Sequence, residues 1–296
     1  MQMPRMSLLE WQKRYGTEKA CAAAIAKYRW PNGFICAKCG HDSSWFIKTR
    51  KVYQCRRCRH QISVTAGTLF HSTNLPLVKW FWAVYLVAAD KGGISALRLS
   101  KHIDVSWPTA HNVLRKIRTA MAHRDSMYRL LHDLIECDDA YIGGKRPGKK
   151  GRGAKGKKPI LVAIENKGSK AGFVAIEAVE NINGEEIKRF LDSHLTKGQH
   201  VRTDAFPAMN IINKTHHHEK KVTPPEESAS WLPLVHIVIG NLKKFLNGTF
   251  HGVSHAYLQE YLNEFCYRFN RRFREPELPL RLLNACLSHA PVKSCK

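Results

Sequence analysis

The chain has 296 residues, 44% of them apolar, enough for two or three domains with real cores. Its 48 Lys and Arg against 24 Asp and Glu leave a net charge of +24. That excess is too large for a typical metabolic enzyme and points to a polyanionic partner, nucleic acid first, with a ribosomal or merely basic soluble protein as the bland alternative.

No secretory signal opens the chain. The longest strongly apolar run, near Trp80–Ala89, is too short to span a bilayer. The expectation is a cytoplasmic protein with no membrane partner. In chain order, Ser7–Arg29 (SLLEWQKRYGTEKACAAAIAKYR) reads as helix packed on the segment after it. Next come two C-x-x-C knuckles, Cys36 and Cys39, then Cys55 and Cys58, with 15 residues between them. Two tight turns at that spacing present four thiolates tetrahedrally to one Zn²⁺, which substitutes for a hydrophobic core in so small a segment. Arg56, Arg57 and Arg59 on the second knuckle suit phosphate or base edges, though exposed basic residues are ordinary there. Cys21, Cys137, Cys266, Cys286 and Cys295 show no ligand spacing and read as ordinary thiols.

Pro76 can open a helix whose apolar positions Leu77, Trp80, Phe81, Val84, Tyr85 and Ala88 form a core stripe, closed by Gly92-Gly93. A helix-turn-helix pattern follows: Ser95–His102, a turn over Ile103–Ser106, then Trp107–Ala120 with Pro108 in its first turn. Thr109, His111, Asn112, Arg115 and Lys116 lie where a recognition helix meets bases and phosphates, and Val113, Leu114 and Ile117 anchor it. Any three-helix domain can show this spacing; the charge of the whole chain favours DNA.

The second half opens on LIECDDAYIGG, Leu134–Gly144, an apolar strand carrying Asp138 and Asp139. Carboxylates in such a strand cost several kcal/mol unless a cation or hydrogen-bond partner compensates them, and a divalent metal is the usual reason for accepting that cost. Asp204, in HVRTDAF, has a similar setting 66 residues later. The coarse order is strand Leu134–Ile142, basic loop, strands Ile160–Glu165 and Phe173–Val179, helix Glu185–Leu195, strand Val201–Asp204, then helices. This is the order of an RNase H-like core, in which the first and fourth strands are neighbours and bring Asp138 and Asp204 to the same cations. Between the first two strands, Lys145, Arg146, Lys149, Lys150, Arg152, Lys155, Lys157 and Lys158 make eight basic residues with no acid. They read as a flexible arm for a DNA backbone or, more blandly, as a solvated loop. His216-His217-His218 reads as a polar loop. Glu264 sits with Glu260 and Arg268 at i, i+4 spacing and reads as a solvated charge pair. The tail after Arg274 carries a short Leu-rich helix.

The double knuckle, ECDDAYIGG with its Lys/Gly-rich sequel, TDAF, and VHIVIGNLKKFLNGTFHGVS leading into YLNEFCYRFNRR carry a resemblance over about Phe34 to Arg274. Together they resemble bacterial insertion-sequence transposases of the DDE superfamily, in the subgroup with an N-terminal zinc ribbon. The resemblance implies Asp138 as first catalytic carboxylate and Asp204 as second, with Asp139 a neighbour where the family usually has Glu. It implies Asn241 as third metal ligand, 36 residues intervening after Asp204, through an uncharged carbonyl oxygen. Glu226, Glu227 and Glu264 are the alternatives. Lys244, one turn past Asn241, would hold a phosphate.

The implied fold is mixed α+β: helical segment 1–33, zinc ribbon 34–70, helix-turn-helix-like domain 71–128, RNase H-like catalytic domain 129–275 and tail 276–296. The implied cofactors are structural Zn²⁺ and catalytic Mg²⁺ or Mn²⁺. The implied partner is double-stranded DNA, both element ends and target, gripped by a homo-oligomer. The implied activity is 3′-end cleavage and strand transfer by metal-assisted phosphodiester chemistry. A nuclease or resolvase that cuts without joining, and a decayed zinc and helix-turn-helix binder, are the competing classes.

Overall fold

A computed structural model describes residues 3–127, 133–143, 156–168, 170–222, 224 and 228–291. The chain divides into two units, one of residues up to 121 together with those from 274 onward, the other of residues 122–273.

In the first unit the N-terminal helical run is two helices, not one: α1 (Leu8–Tyr15) and α2 (Glu18–Arg29). The break has a local cause. Gly16 closes α1, and the Thr17 hydroxyl accepts from the Ala20 N–H at 3.2 Å, starting a new helix. Ser7 and Glu10 form a reciprocal capping box at the head of α1. The ribbon is an antiparallel three-stranded sheet of β1 (Ser44–Ile47), β2 (Val52–Cys55) and β3 (Gln61–Ser63). Helix α3 (Leu77–Ala89) buries the stripe expected of it, and its aromatics are core: Trp11 lies 5.2 Å from Tyr85 and Tyr15 lies 5.1 Å from Phe81.

Pro76 gives α3 no side-chain cap. Glu18 supplies one from α2, its two oxygens accepting the N–H groups of Leu77 at 2.9 Å and Val78 at 3.2 Å. After α3 come α4 (Ala96–Ile103), capped by Ser95, a turn with Asp104 at φ +48°, and α5 (Trp107–Ser126). Val113, Leu114 and Ile117 are buried as anchors. The Leu-rich helix of the tail, Leu278–Ser288, packs on α3, and the Cys286 carbonyl accepts from the Leu69 N–H.

The second unit is built on a five-stranded sheet. Its elements are β4 (Leu134–Ile142), β5 (Lys158–Lys167), β6 (Lys170–Ala178), α6 (Gly184–His194), β7 (His200–Asp204), a 3-10 turn (Pro207–Lys214), β8 (His217–Lys221), α7 (Ser228–Trp231), α8 (Pro233–Phe250) and α9 (Leu258–Phe269). The sheet order is β6-β5-β4-β7-β8, with β4, β5 and β6 antiparallel and β7 and β8 parallel to β4. The expected adjacency of the first and fourth strands is therefore present. The polar-loop reading of the histidine run is corrected: His217 and His218 open the edge strand β8.

Alternation along the strands splits the unit into two cores. Ala140, Ile142, Ile160, Val162, Ile164, Val174 and Ile176 face α8 and α9, whereas Ile135, Cys137, Leu161, Ala163, Ala175 and Val201 face α6 and the 3-10 turn. Glu264 on α9 is paired with Arg268 at 2.9 Å as its spacing suggested, but it is buried, not solvated.

The β6 edge is laced by α9 and the residue that ends it. Asn270 Oδ1 accepts from the Val174 N–H at 2.8 Å, and its Nδ2 donates to the Val174 carbonyl at 3.1 Å. Gln259 does the same for the Ala178 N–H and the Ile176 carbonyl. Side-chain amides thus stand in for a sixth strand and close an edge that would otherwise invite pairing. Asn270→Ala strips both partners from Val174, with an expected loss of about 2 kcal/mol. A urea midpoint shifted down at unchanged slope is the checking measurement.

Candidate metal centre and DNA-processing site

The ribbon's four thiols meet as the knuckles require. Cys36, Cys39, Cys55 and Cys58 have sulfurs all within 4.8 Å of one another, with Cys36–Cys58 and Cys39–Cys55 at 3.6 Å. A tetrahedron with Zn–S of about 2.3 Å has S–S edges of about 3.8 Å, so the cage already has the size of the ion. Burial works against a Cys55 thiolate. The N–H groups of Cys58 and Arg57 and the neighbouring thiols outweigh it and bring the group down to about 6. Trp45 on β1 is half exposed and carries the Arg56 guanidinium 4.0 Å from its ring.

On the helix-turn-helix pair, Asn112 is exposed and Thr109 and Arg115 are half-buried. The Thr109 hydroxyl bonds Ser106 at 2.9 Å, His111 stacks on the exposed Trp107 at 4.9 Å, and the Lys116 ammonium lies 5.9 Å from Trp80. Of the basic run, Lys145, Arg146, Lys149, Lys150, Arg152 and Lys155 lie outside the described residues, as do Glu226, Glu227 and Cys295. Lys157 precedes β5. Lys158 is the first residue of that strand, its ammonium 2.5 Å from Glu180.

The paired aspartates follow from sheet geometry. Strand β4 bonds β7 in parallel through Ile135↔Val201 and Glu136↔Arg202. Two residues further on in each strand, Asp138 comes level with Asp204. Ile135 and Cys137 belong to the α6 core while Ala140 and Ile142 belong to the α8 core, so Glu136 and Asp138 face α8 and Asp139 points the other way. Val201 likewise belongs to the α6 core, which turns Arg202 and Asp204 toward α8. Adjacent strands lie about 4.8 Å apart, so continuing this register puts the two carboxylates on one face of neighbouring strands. Their charge is felt inside the sheet as well. Burial first, then Asp138, Asp139 and Asp204, push the Cys137 thiol up.

Local bonds hold both acids. Asp138 Oδ1 accepts from the Asp139 N–H at 2.8 Å, and Asp204 Oδ1 accepts from the Phe206 N–H at 3.1 Å. Trp231 steadies the end of β7, donating its indole N–H to the Thr203 carbonyl at 2.8 Å while the Arg202 guanidinium lies 4.3 Å from its ring.

Helix α8 brings His236 to this centre. Its Nε2 lies 3.3 Å from Asp138 Oδ2. The hydrogen bond to Asp138 raises the imidazole above its ordinary value. Burial opposes that, and the charges of Asp138, Glu136 and Asp204 add to it. Asn241 and Lys244 are both exposed on the same helix. Five residues of α-helix turn about 500°, so Asn241 points about 140° away from the direction of His236. His236 is neither an acid nor an amide and carries no ligand spacing of its own, and a lone histidine in an apolar helix is usually core. The available signal was its place in the first turn after Pro233. Among the described His, Cys, Asp and Glu residues only the four thiols form a group of three or more ligand atoms all within 4.8 Å.

Glu136 was also given no role by sequence reasoning. It is wholly buried. Its Oε2 accepts from the Leu234 and Val235 N–H groups at 2.9 Å each, and its Oε1 accepts from Asn166 at 2.6 Å.

A 3-2-1-4-5 sheet with paired aspartates on strands one and four, in a chain that also carries a four-cysteine ribbon, defines a zinc-ribbon protein with an RNase H-like core. Two family models match it: a transposase zinc-ribbon domain over residues 16–61 and an ISXO2-like transposase domain over residues 130–270. The chain thus carries, in order, the zinc ribbon and the transposase domain of insertion-sequence transposases. A relative in Halobacterium salinarum, an uncharacterized protein in transposable element ISH50, is 27% identical over 68% of this chain and 72% of its own length. Among solved structures, the Mos1 strand transfer complex matches at 13% identity over 72% of this chain and 79% of that one, with a TM-score of 0.28. A pre-cleavage Mos1 transpososome matches at 11% over 71% and 79%, with a TM-score of 0.27. These likenesses are too slight to bear on function. No helix among the described residues is long and apolar enough to cross a membrane.

Proposed function

We propose that this transposase cleaves the 3′ ends of its own element and joins them to target DNA in a divalent-metal-dependent reaction. The observation that supports it most is the placement of Asp138 and Asp204, level on adjacent parallel strands and turned to the same face. Two carboxylates one strand apart are a donor set suited to Mg²⁺ or Mn²⁺. Such ions supply an activated water and a counter-charge for the leaving 3′ oxygen.

The chain's own residues do the rest. Asp138 and Asp204 hold the cations. His236 bonds Asp138 and fixes which of its oxygens faces the site. We assign it the third position in place of Asn241, which the family resemblance implies but which points about 140° away from His236 on the same helix. Lys244, exposed on α8, takes a phosphate of the DNA. The ribbon holds structural Zn²⁺ on Cys36, Cys39, Cys55 and Cys58. Thr109, Asn112 and Arg115 read the element ends, and the basic run from Lys145 to Lys158 follows the backbone with an affinity that falls steeply with salt.

The test is incubation of the purified chain with Mg²⁺ or Mn²⁺ and DNA bearing the terminal inverted repeats that flank its open reading frame. Joined products are expected. Nicks without joining would reassign the chain to the cutting-only class, and binding alone would leave it a DNA-binding protein.

A further inference from the structure

Helix α8 has no cap of its own. It starts at Pro233, and Leu232 before it offers no side-chain acceptor. The first-turn N–H groups of a helix have no partner within it and need one elsewhere. Glu136 is that partner, with both of its oxygens engaged: two α8 amides on one and Asn166 on the other. A carboxylate at a helix N-terminus is also favoured by the helix dipole, which helps a charged group remain in a wholly buried position.

The placement is specific. Glu136 lies two residues before Asp138 on the same strand face. The amides it holds belong to Leu234 and Val235, and the next residue is His236, whose ring reaches Asp138. Val235, Val238, Ile239 and Leu242 also attach α8 to the sheet, but through apolar contacts that fix neither rotation nor axial register closely. Two hydrogen bonds to one carboxylate oxygen fix both.

We propose that Glu136 is a positioning residue of the catalytic centre, clamping the first turn of α8 to the catalytic strand so that His236 is held against Asp138. The catalytic part of this statement rests on the metal-dependent joining reaction proposed above; the clamp does not. Glu136 touches neither DNA nor cation in this role, since its oxygens are already engaged by protein donors.

The experiment uses the full chain and Glu136→Gln, which keeps the shape but loses the charge and, with one acceptor oxygen in place of two, cannot accept from both the α8 N–H groups and Asn166. Hydrogen exchange is followed at the Leu234 and Val235 amides, and end joining is followed across a Mg²⁺ titration beside end binding. The expected result is exchange at these amides faster by at least about tenfold. Joining per folded molecule should fall by about tenfold or more, with half-maximal Mg²⁺ moved upward and end binding unchanged. Unchanged exchange, or wild-type joining with wild-type Mg²⁺ dependence, overturns the proposal. Should the wild-type chain join nothing, the metal-dependent reading fails by itself, and the exchange comparison still decides the clamp. If Glu136→Gln does not fold, Glu136→Asp retains the charge on a side chain one methylene shorter. It should show the same pattern in smaller measure, and wild-type exchange and joining in it would equally overturn the clamp.

Discussion

Asp138→Asn in the full chain is expected to lower end joining by on the order of 10³-fold while end binding stays within about twofold. The same loss is expected of Asp204→Asn, because the two carboxylates are one binding unit. Their double variant should be little worse than either single one. The stability effect has the opposite sign. Without metal, Asp138 and Asp204 repel across one strand spacing, so Asp204→Asn should leave the melting temperature unchanged or raise it, whereas Asp138→Asn also gives up the His236 contact and offsets that gain.

His236 gives a pH signature. Its folded pKa is raised, so in the metal-free protein the Asp138–His236 contact stabilises fully below the ordinary imidazole value. That contribution is lost as pH rises through the raised folded value. Asp138→Asn should return the His236 titration, followed by NMR, toward ordinary. A fully active Asp138→Asn enzyme would sink the metal-centre reading.

The second large effect is at the ribbon. Strands of four, four and three residues cannot bury enough to stand alone. Their apolar support is a small cluster in which Trp30 lies 5.1 Å from both Phe34 and Tyr53. A structural zinc contributes about 10–16 kcal/mol of apparent folding energy, so Cys55→Ser or a strong chelator should unfold the ribbon outright. One zinc per chain should be released, with protease cuts appearing between Cys36 and Cys58. The sheet of the second unit should keep its own melting transition. Acid should act as the chelator does, because thiolates hold the metal and protons compete for them. A ribbon that resists both treatments would show that the four sulfurs are not a zinc site.

Much of this was legible in the residues because burial writes a period into a sequence. LIECDDAYI and the runs around Ile160 and Val174 alternate against two cores, and the stripe from Leu77 to Ala88 has the helical period. The knuckles are legible for a different reason, since four ligands and one ion tolerate few spacings. What was missed lacks a burial signal. Strand β8 is His-His-Glu-Lys-Lys at a sheet edge, with nothing to bury and hence no alternation to read. The split at Gly16 depends on one hydroxyl outbidding a helix continuation. His236 and Glu136 escaped because their meaning is a partner about 100 residues away in sequence, as with Glu136 and Leu234. No local pattern encodes such a pairing.

Both α3 and α8 begin at proline without a cap and are completed by a glutamate from another element, Glu18 for one and Glu136 for the other. A helix of this kind has no autonomous starting point. As an excised peptide α8 should be mostly coil, the more so for its glycines at 240 and 248. In the intact chain its formation is therefore thermodynamically coupled to that of strand β4. The histidine cannot arrive over the aspartate before the strand exists, and a locally melted strand releases the helix with it.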